Sequence, residues 1–536
     1  MEKNLSTYNR ASSLLMERFP LIALMIARQE EKKLIDEPIS KVSVEKAEVL
    51  YFYGLGTGAA YFEYKQWLEK NRDHQLVFLE DEPGCINAFL QLPQALEILK
   101  DPQVHLELIG KKGEEIDALT RRFPVKRLEV TALKSKGPFQ KLRLKILRKT
   151  ALTHALHLDR LHGYQPFHNF IQNLKQLPHS FYANQLKGAF KDTPAIVCGA
   201  GPSLQKSMDL LKTLENKALL IAGGSTLAAL SSQGIMPHFG MAIDPNLEEY
   251  RRLRNSFAFE VPLLYSTRVH PGVFQTANGP FGYMRSGIGG ISELWIEEEL
   301  GLLDPLLGEE LSSETISVTG ICVAWAQFLG CNPIILDGID MAYTGNKRYS
   351  SGVVEEKDLG LKAIDDEKSA ADRIIRRKDR SGKLVSTAVR WVMESESISH
   401  FAKKHPQTLF LNATDGGIGF KGIDYVPLQD AIKSFKESQL RKKVFDEIQK
   451  ASMPKNTAKL IEEKTLELKE SLAKVIEHLL ILADQKKGSK ALAEMELKEE
   501  SAFFYLFYDI YQVLKMDEFF WTHWLDLAKK YKAVLG

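Results

Sequence analysis

The chain has 536 residues, which is too long for one hydrophobic core and indicates two to four domains. With 44% hydrophobic and 26% charged residues, a net charge of +2 and four cysteines that form no CxxC motif or Cys/His cluster, it resembles a soluble globular protein of a reducing compartment. This composition argues against a disulfide framework or a zinc site. The polar N-terminus shows no signal peptide and no segment approaches about 18–20 continuous apolar residues, so we predict a cytoplasmic protein with no membrane span.

Residues 1–190 are predicted to begin with helices and to continue as strand–turn–helix units. Strands are expected within Tyr51–Ala60, Leu76–Pro83 and Val104–Gly110. This alternation favours a parallel sheet with helices on both faces.

A glycine-rich GxGxG turn follows the first of these strands. Gly54, Gly56 and Gly58, with Glu80 further along, resemble a nucleotide-binding fingerprint in which the acid binds ribose hydroxyls. A tight turn in a Rossmann-like domain without a ligand explains the same residues, so both interpretations stay open.

The segment Phe139–Leu152 is predicted to form a basic amphipathic helix. Its cations could face an acidic partner, nucleic acid, a membrane surface or solvent, and solvent is favoured. Because no aromatic residues are interleaved for base stacking, we expect no nucleic-acid partner.

Residues 191–430 are predicted to form a second α/β domain. Glycine-rich or polar turns follow four short apolar strands, at Cys198–Leu204, Ala222–Leu227, Asp244–Asn246 and Gly338–Tyr349. In an open parallel sheet the carboxyl ends of the strands share one edge, where ligands bind. The four turns therefore predict a binding site at that edge.

The turn GAGPSL has the features of a phosphate cradle. Gly199 and Gly201 would let the backbone approach a ligand, Pro202 presets φ, and Ser203 would cap the following helix. No GK[ST] and no third glycine follow, which excludes a Walker A loop and disfavours a dinucleotide dehydrogenase. Thr319 and Gly320 could form a second cradle at another helix start, although simple capping would also explain Thr319.

Residues 431–536 are predicted to be helical. One predicted helix has residues at alternating spacings of four and three that form an a/d seam. This seam favours packing in a helical bundle or a dimeric coiled coil, so the oligomeric state stays unknown. Asn456 and Gly488 are the expected caps of this helix. The seam residues are Ile461, Thr465, Leu468, Leu472, Val475, Leu479 and Leu482.

Four motifs together resemble the motility-associated-factor (Maf) family of flagellin glycosyltransferases, whose central domain is MptE-like. They are GAGPSL, DPN, VTGICVAWAQFLGCNPIILDGIDMAYTGNKRY and NATDGGIGFKG. The resemblance implies an α/β protein with two Rossmann-like parallel-sheet domains followed by an α-helical C-terminal region. The implied domains are 1–190, 191–430 and 431–536.

The central domain of that family is related to bacterial sialyltransferases that use CMP-activated sugars. The resemblance implies that Tyr343 and Tyr349 hold the leaving phosphate, for which donors aimed at the developing charge lower the barrier. The loops that would bind the nucleotide sugar contribute Gly199, Gly201, Pro202, Ser203, Gly224, Ser225, Asn246, Thr319, Gly320 and Asp340.

The chain departs from the sialyltransferases at the general base. Their histidine has no counterpart in Lys383–Ser397, where the nearby groups are Arg390, Glu394 and Glu396. The base is therefore unassigned, with Asp244 as a candidate base or metal ligand.

Three functions remain open on these residues. The first is transfer of a nucleotide-activated sugar, expected to be a CMP-sugar, to an acceptor protein without a required cofactor. The second is pyrophosphoryl transfer from ATP to a pterin-like alcohol, with Mg²⁺ held by Asp244 and Asp340. The third is non-catalytic binding of a nucleotide sugar.

Overall fold

The computed structural model describes residues 2–34, 37–39, 41–110, 115–136, 139–161, 164–254, 256, 260–286, 288–311, 317–353, 369–507 and 520–536. The chain divides into two compact units. The N-terminal unit comprises Met1–His157, Leu359–Ile375 and Ala388–Arg390, and the second unit comprises Leu158–Asp358, Arg376–Thr387 and Trp391–Gly536.

The N-terminal unit contains a four-stranded parallel sheet of order β3-β2-β1-β4. Its strands are β1 (Val49–Tyr53), β2 (Gln75–Glu80), β3 (Val104–Leu108) and β4 (Leu128–Ala132). The three strands predicted first are confirmed. β1 is apolar throughout, as expected of an interior parallel strand covered on both faces.

Helices accompany this sheet. The helices whose residues lie wholly or mainly in this unit are Glu2–Arg18, Pro20–Ile26, Ala59–Lys70, Pro83–Leu90, Ala95–Lys100, Glu115–Arg122 and Gln140–Leu161. The last of them contains the predicted basic helix.

The second unit contains a nine-stranded sheet in which all described pairs are parallel, of order β15-β14-β11-β6-β7-β8-β9-β10-β5. Its strands are β5 (Phe181–Tyr182), β6 (Ala195–Cys198), β7 (Leu219–Gly223), β8 (Phe239–Ala242), β9 (Leu263–Tyr265), β10 (Phe281–Tyr283), β11 (Ile334–Asp337), β14 (Phe410–Asn412) and β15 (Asp424–Tyr425). β12 (Ile374–Lys378) and β13 (Leu384–Ala388) form a separate two-stranded sheet.

Both faces of the large sheet are buried. On β6, Ile196 and Cys198 belong to one hydrophobic cluster, whereas Ala195 and Val197 belong to another. Side chains alternate between the two faces of a strand, so each cluster covers one face. Helices between residues 164 and 431 are Tyr164–Asn173, Met208–Lys212, Ser225–Ser231, Leu247–Leu253, Gly290–Glu299, Val318–Phe328, Val389–Lys404 and Leu428–Ala431.

The strand order reverses between β6 and β11. From β6 the chain proceeds through β7 to β10 in one direction, whereas β11, β14 and β15 lie on the other side. Such a switch point leaves a crevice outside the carboxyl ends of the two strands, where open α/β sheets bind ligands.

The C-terminal region is helical, with helices Leu440–Lys450, Thr457–Leu482, Lys490–Glu499, Ser501–Leu506 and Phe520–Leu535. In the long helix Thr457–Leu482, most seam residues are buried against neighbouring elements of the same chain. The helix begins after Asn456, whose side chain makes no capping bond, and Ala483 is its C-cap, so the predicted cap at Gly488 is wrong. The predicted fold class, two parallel-sheet α/β domains followed by a helical region, is confirmed.

Among the described helices, none combines the length and the apolar character that crossing a membrane requires.

Candidate functional site

Two loops meet at the switch point of the nine-stranded sheet. The turn after β6 pairs with the turn after β11 through backbone hydrogen bonds. Gly199 N–H donates to the carbonyl of Asp337 at 2.8 Å, and Gly201 N–H donates to that of Gly338 at 2.8 Å. The GAGPSL and GID motifs therefore form one continuous wall of the crevice.

The glycines of these loops are required by the contact between them. A Cβ on Gly199 would lie 2.6 Å from the carbonyl oxygen of Gly338, and a Cβ on Gly201 would lie 2.0 Å from Oδ2 of Asp340. Gly417, with φ of +69°, would place a Cβ 1.7 Å from the carbonyl oxygen of Asp340. The turn needs these glycines for close packing, whether or not a ligand also approaches it.

Ser203 faces Asp340 rather than a helix end. Its Oγ donates to Asp340 Oδ2 at 2.6 Å, and its N–H lies 3.3 Å from the same oxygen. Both residues are almost fully buried, with exposed fractions of 3% and 2%. The segment Pro202–Lys206 is a 3₁₀ turn whose first residues have no side-chain cap, so the predicted capping role of Ser203 is wrong.

A second buried carboxyl group lies beside this contact. Asp337 Oδ1 accepts a hydrogen bond from Ser207 Oγ at 3.0 Å. Burial raises the pKa of Asp337 to about 7, and the negative charge of Asp340 adds to this rise. The hydrogen bonds from Ser207 and Gly338 lower the pKa but do not cancel the effect of burial. Burial also raises the pKa of Asp340, and the hydrogen bonds that Asp340 accepts from Ser203 oppose this rise.

The turn after β7 brings a second backbone element to this edge. Gly224 has φ of +50° and precedes the helix Ser225–Ser231, in which Ser225 is half-buried. A Cβ on Gly223 would lie 2.0 Å from Cγ1 of Val318. Glycine at this position lets the start of the helix Val318–Phe328 approach the end of β7.

Ser317, which the sequence prediction missed, caps the helix Val318–Phe328. Its Oγ accepts the N–H of Gly320 at 3.0 Å and donates to a carboxylate oxygen of Glu394. Capping therefore does not account for Thr319, which is half-buried in the first turn. Glu394, one of the acids in the segment without a histidine, is fixed at this helix start.

Asp244 and Asn246 lie in the loop after β8. The carbonyl of Asp244 accepts His270 N–H at 3.3 Å, and Asn169 Nδ2 donates to the carbonyl of Pro245 at 2.9 Å. Asp244 is half-buried and Asn246 is exposed. The loop is thus held through its backbone, at the same edge of the sheet as the other turns.

The two predicted tyrosines have different environments. Tyr343 is buried, with its ring centroid 4.8 Å from that of Trp391. Tyr349 is half-exposed, and the Arg348 guanidinium lies 4.9 Å from its ring centroid. Ser350 N–H donates to the carbonyl of Ala200 at 2.8 Å, which ties the loop carrying Tyr349 to the GAGPSL turn.

A charged cluster beside the GAGPSL turn was not predicted. Asp415, from NATDGGIG, contacts Lys206 Nζ at 2.7 Å and an Arg380 nitrogen at 2.7 Å. These two hydrogen bonds lower the pKa of Asp415. The Arg380 guanidinium also lies 3.6 Å from the ring centroid of Tyr425. All three charged side chains are substantially exposed, so the cations are accessible to an anionic ligand.

The GxGxG turn of the N-terminal unit is satisfied internally. Glu80, which is 1% exposed, accepts the N–H of Leu55 at 2.8 Å and a hydrogen bond from Lys136 Nζ at 2.6 Å. Lys136 also contacts Asp81 and lies 5.0 Å from the ring centroid of Tyr53. This geometry favours the ligand-free interpretation of the motif.

Within the described parts of the chain, no group of three or more His, Cys, Asp or Glu side chains has an arrangement that could hold a metal ion.

Comparisons with known proteins show a similarity that is concentrated in the central region. Residues 168–346 match the family model of the 6-hydroxymethylpterin diphosphokinase MptE-like proteins. Among solved structures, the chain is similar to a Maf glycosyltransferase from Magnetospirillum magneticum AMB-1, with 13% identity and a TM-score of 0.48 over 99% of this chain and 94% of that chain. A comparison with curated protein sequences gave no significant match. The resemblance of the central region to MptE-like domains, which its motifs predicted, is confirmed over residues 168–346.

Proposed function

We propose that the central domain is a glycosyltransferase that moves a nucleotide-activated sugar to a protein Ser or Thr hydroxyl. The donor would be a CMP-linked sugar of the nonulosonic acid type, and the acceptor a protein such as flagellin. The observation that carries the proposal is the convergence of the β6, β7, β8 and β11 turns, with the helix start at Val318, on one edge of the sheet beside the switch point.

The chemistry suits a leaving phosphate. Transfer breaks the bond between the sugar and the CMP phosphate, and negative charge grows on the phosphate oxygen that leaves. Hydroxyl donors and cations aimed at that oxygen stabilise the transition state more than the ground state. Tyr343 and Tyr349 would supply hydroxyl groups, and Lys206 and Arg380 lie beside the turn as accessible cations.

The acceptor hydroxyl must lose a proton as it attacks, so the reaction needs a base. Asp244 is the predicted candidate. Its backbone is fixed in the β8 loop by His270 and its side chain is half-buried at the same edge as the other turns. A carboxylate at this position would accept the proton from the incoming hydroxyl.

A diphosphokinase is the second candidate, because the family description of residues 168–346 names that activity. It would need Mg²⁺ bound by carboxylates and ATP phosphates. Asp340, one of the two predicted ligands, accepts hydrogen bonds from Ser203 and is buried. This contact engages only Oδ2, and it speaks equally against Asp340 as a ligand of Mg²⁺ and as a ligand of a nucleotide sugar.

Ligand binding by the full chain separates these functions. Isothermal titration with CMP and with ATP, each with and without Mg²⁺, measures which nucleotide binds and whether metal is needed. We expect CMP to bind without metal. Binding only of ATP with Mg²⁺ would replace the proposal with the diphosphokinase, and the absence of all nucleotide binding would contradict both enzymes.

A matched pair of variants locates the site. Asn246→Ala removes the side chain expected to bind the nucleotide, whereas Leu247→Ala truncates its exposed neighbour. The CMP dissociation constant should rise about tenfold or more in the first variant, as expected for loss of a hydrogen bond and its orienting effect. It should be unchanged in the second. Mass spectrometry of an acceptor protein incubated with a CMP-sugar then tests transfer itself.

A further inference from the structure

A cavity of about 770 Å³ lies beside β4 in the N-terminal unit. Four consecutive residues of β4, Leu128 to Thr131, contribute to its wall. Successive side chains of a strand point to opposite faces of the sheet, so a cavity that touches four in a row runs along the edge of the strand. The rest of its described lining comes from the segment before β1, from the helix Gln140–Leu161 and its preceding residue, and from the segment around Ala370.

β4 is the terminal strand of its sheet, and both ends of its outer edge already contact the backbone of other segments of the chain. At the amino end, Ala370 N–H donates to the carbonyl of Lys126 at 3.1 Å. At the carboxyl end, Ile39 forms an antiparallel bridge with Leu133. The edge is therefore able to pair with other backbone, and the stretch between these two contacts faces the cavity.

The hydrogen bonds between β4 and β1 show which backbone groups of β4 point away from the sheet. Glu48 N–H donates to the carbonyl of Arg127, and Leu133 N–H donates to the carbonyl of Tyr53. The backbone groups of Arg127 and Leu133 therefore face β1. Backbone groups alternate between the two sides of a strand. Leu128 and Val130 consequently direct their N–H and C=O groups toward the cavity.

The cavity is lined by more cations than anions. Its described lining contains four cationic residues, Lys46, Arg127, Arg143 and Arg373, and two acids, Glu45 and Glu129. Arg373 and Glu129 pair with each other at 2.6 and 2.8 Å. Arg143 already interacts with another group, and among the other charged lining residues Lys46 and Arg127 outnumber Glu45. This small positive surplus complements an acidic occupant.

We propose that the outer edge of β4 binds an extended acidic segment of a partner protein by β-strand addition. The backbone of the segment would pair with Leu128 and Val130, and its acidic side chains would meet Lys46 and Arg127. Four strand residues span about 13 Å at about 3.3 Å per residue, which matches a short peptide stretch rather than a single anion. This binding is independent of glycosyl transfer at the central domain.

A designed peptide tests the proposal in the full-length protein. The probe is a fluorescein-labelled hexapeptide of alternating valine and glutamate, compared by fluorescence anisotropy with two analogues. One analogue replaces glutamate with lysine, and the other carries N-methyl groups on alternate residues, which removes backbone donors but keeps the charge. We expect saturable binding of the glutamate peptide and at least tenfold weaker binding of both analogues.

Protein variants test the location. Lys46→Glu should weaken binding of the glutamate peptide about fivefold to tenfold, whereas Lys100→Glu, the same change at an exposed lysine outside the cavity, should leave it unchanged. Val130→Pro removes one outward N–H, and proline is tolerated on edge strands. Val130→Pro should weaken binding at least tenfold, and circular dichroism and thermal unfolding check that the variant is folded.

Three results would overturn the proposal. These are no saturable binding of the glutamate peptide, equal binding of the N-methylated peptide, and displacement of the peptide by millimolar inorganic phosphate with no effect of Val130→Pro. The last two would identify a simple anion pocket instead.

Discussion

Ser203 donates its hydroxyl hydrogen to Asp340 across the switch point of the nine-stranded sheet, with 2.6 Å between Oγ and Oδ2. This contact joins the turns of two strands that are neighbours in the sheet but distant in the chain. Because both groups are buried, the loss of either partner leaves the other in an apolar environment.

Ser203→Ala should therefore destabilise the central domain. We expect the free energy of unfolding to fall by about 1–3 kcal/mol, because the buried carboxyl group of Asp340 loses a charge-assisted donor. Urea denaturation measures the change. Ser13→Ala, at an exposed serine of the N-terminal unit, is the control and should change stability by less than about 0.5 kcal/mol. Equal effects of the two variants would show that the Ser203 contact contributes nothing.

Two glycines of the predicted site should respond oppositely to alanine. Gly201→Ala places a Cβ 2.0 Å from Asp340 Oδ2 and should destabilise the fold, although its φ of −66° suits any residue. Gly320→Ala meets Ser317 Oγ at an ordinary 3.4 Å within a helix, where alanine gains about 0.5–1 kcal/mol over glycine. Thermal unfolding measures both. If Gly320→Ala keeps full stability but loses CMP binding, the backbone at Gly320 approaches the ligand; a destabilised Gly320→Ala would contradict the packing argument.

Ser317 and Thr319 should separate capping from ligand binding. Ser317→Ala removes the N-cap and the contact with Glu394, and should cost about 0.5–2 kcal/mol of stability. Thr319→Ala removes a hydroxyl that does not cap the helix, so stability should change by less than about 0.5 kcal/mol. Under the proposed function, its CMP affinity should nevertheless fall. Denaturation and titration on the same preparations measure both effects, and an unchanged CMP affinity in Thr319→Ala would remove that residue from the site.

Asp337 should make stability depend on pH. Its pKa of about 7 in the folded protein exceeds the value near 3.9 of an unfolded aspartate, so the folded state holds the proton more tightly. The stabilisation is complete below about pH 4 and is lost as the pH rises through about 7. Asp337→Asn removes this dependence. The stability of Asp337→Asn relative to the parent protein should therefore increase between about pH 4 and pH 7, by at most about 1.4 kcal/mol per pH unit.

Urea denaturation at half-unit pH steps measures the difference between the two proteins. Asp424→Asn, the same exchange at an exposed aspartate on β15, is the matched control. A pH-independent difference for Asp337→Asn would show that the Asp337 carboxyl group titrates normally.

Tyr349→Phe tests the role of the phenol in phosphate departure. The variant keeps the ring over which Arg348 lies and removes only the hydroxyl. If that hydroxyl stabilises the leaving phosphate, kcat with a CMP-sugar should fall about 10²- to 10³-fold with little change in KM. Tyr425→Phe is the control, since Arg380 contacts its ring face. Full turnover by Tyr349→Phe would show that the Tyr349 hydroxyl does not stabilise the leaving phosphate.

Local patterns predicted the strands well. The apolar run before GAGPSL became β6 at Ala195–Cys198, and the runs before the other turns became β7, β8 and β11. The position of such a strand can be predicted locally, because a short apolar run and the glycine or polar turn that ends it are adjacent in the sequence. Their meeting at one edge follows from the parallel arrangement alone.

The details of the site depend on contacts that local patterns do not encode. Ser203 was expected to cap a helix, but its partner Asp340 lies 137 residues away in the chain. The cap of the helix Val318–Phe328 is Ser317, two residues before the predicted threonine, because helix boundaries shift by a residue or two with tertiary context. The cluster around Asp415 joins three separate segments of sequence, which no spacing rule connects.

The position of β6 between β7 and β11 also sets when the crevice can form during synthesis. β6 can pair with β7 as soon as both have left the ribosome, whereas β11 and Asp340 follow more than a hundred residues later. Closing so long a loop is entropically costly and slow compared with local pairing. A nascent chain that ends before β11 thus has the GAGPSL turn without its opposite wall, and its exposed β6 edge is available for incorrect pairing until β11 arrives.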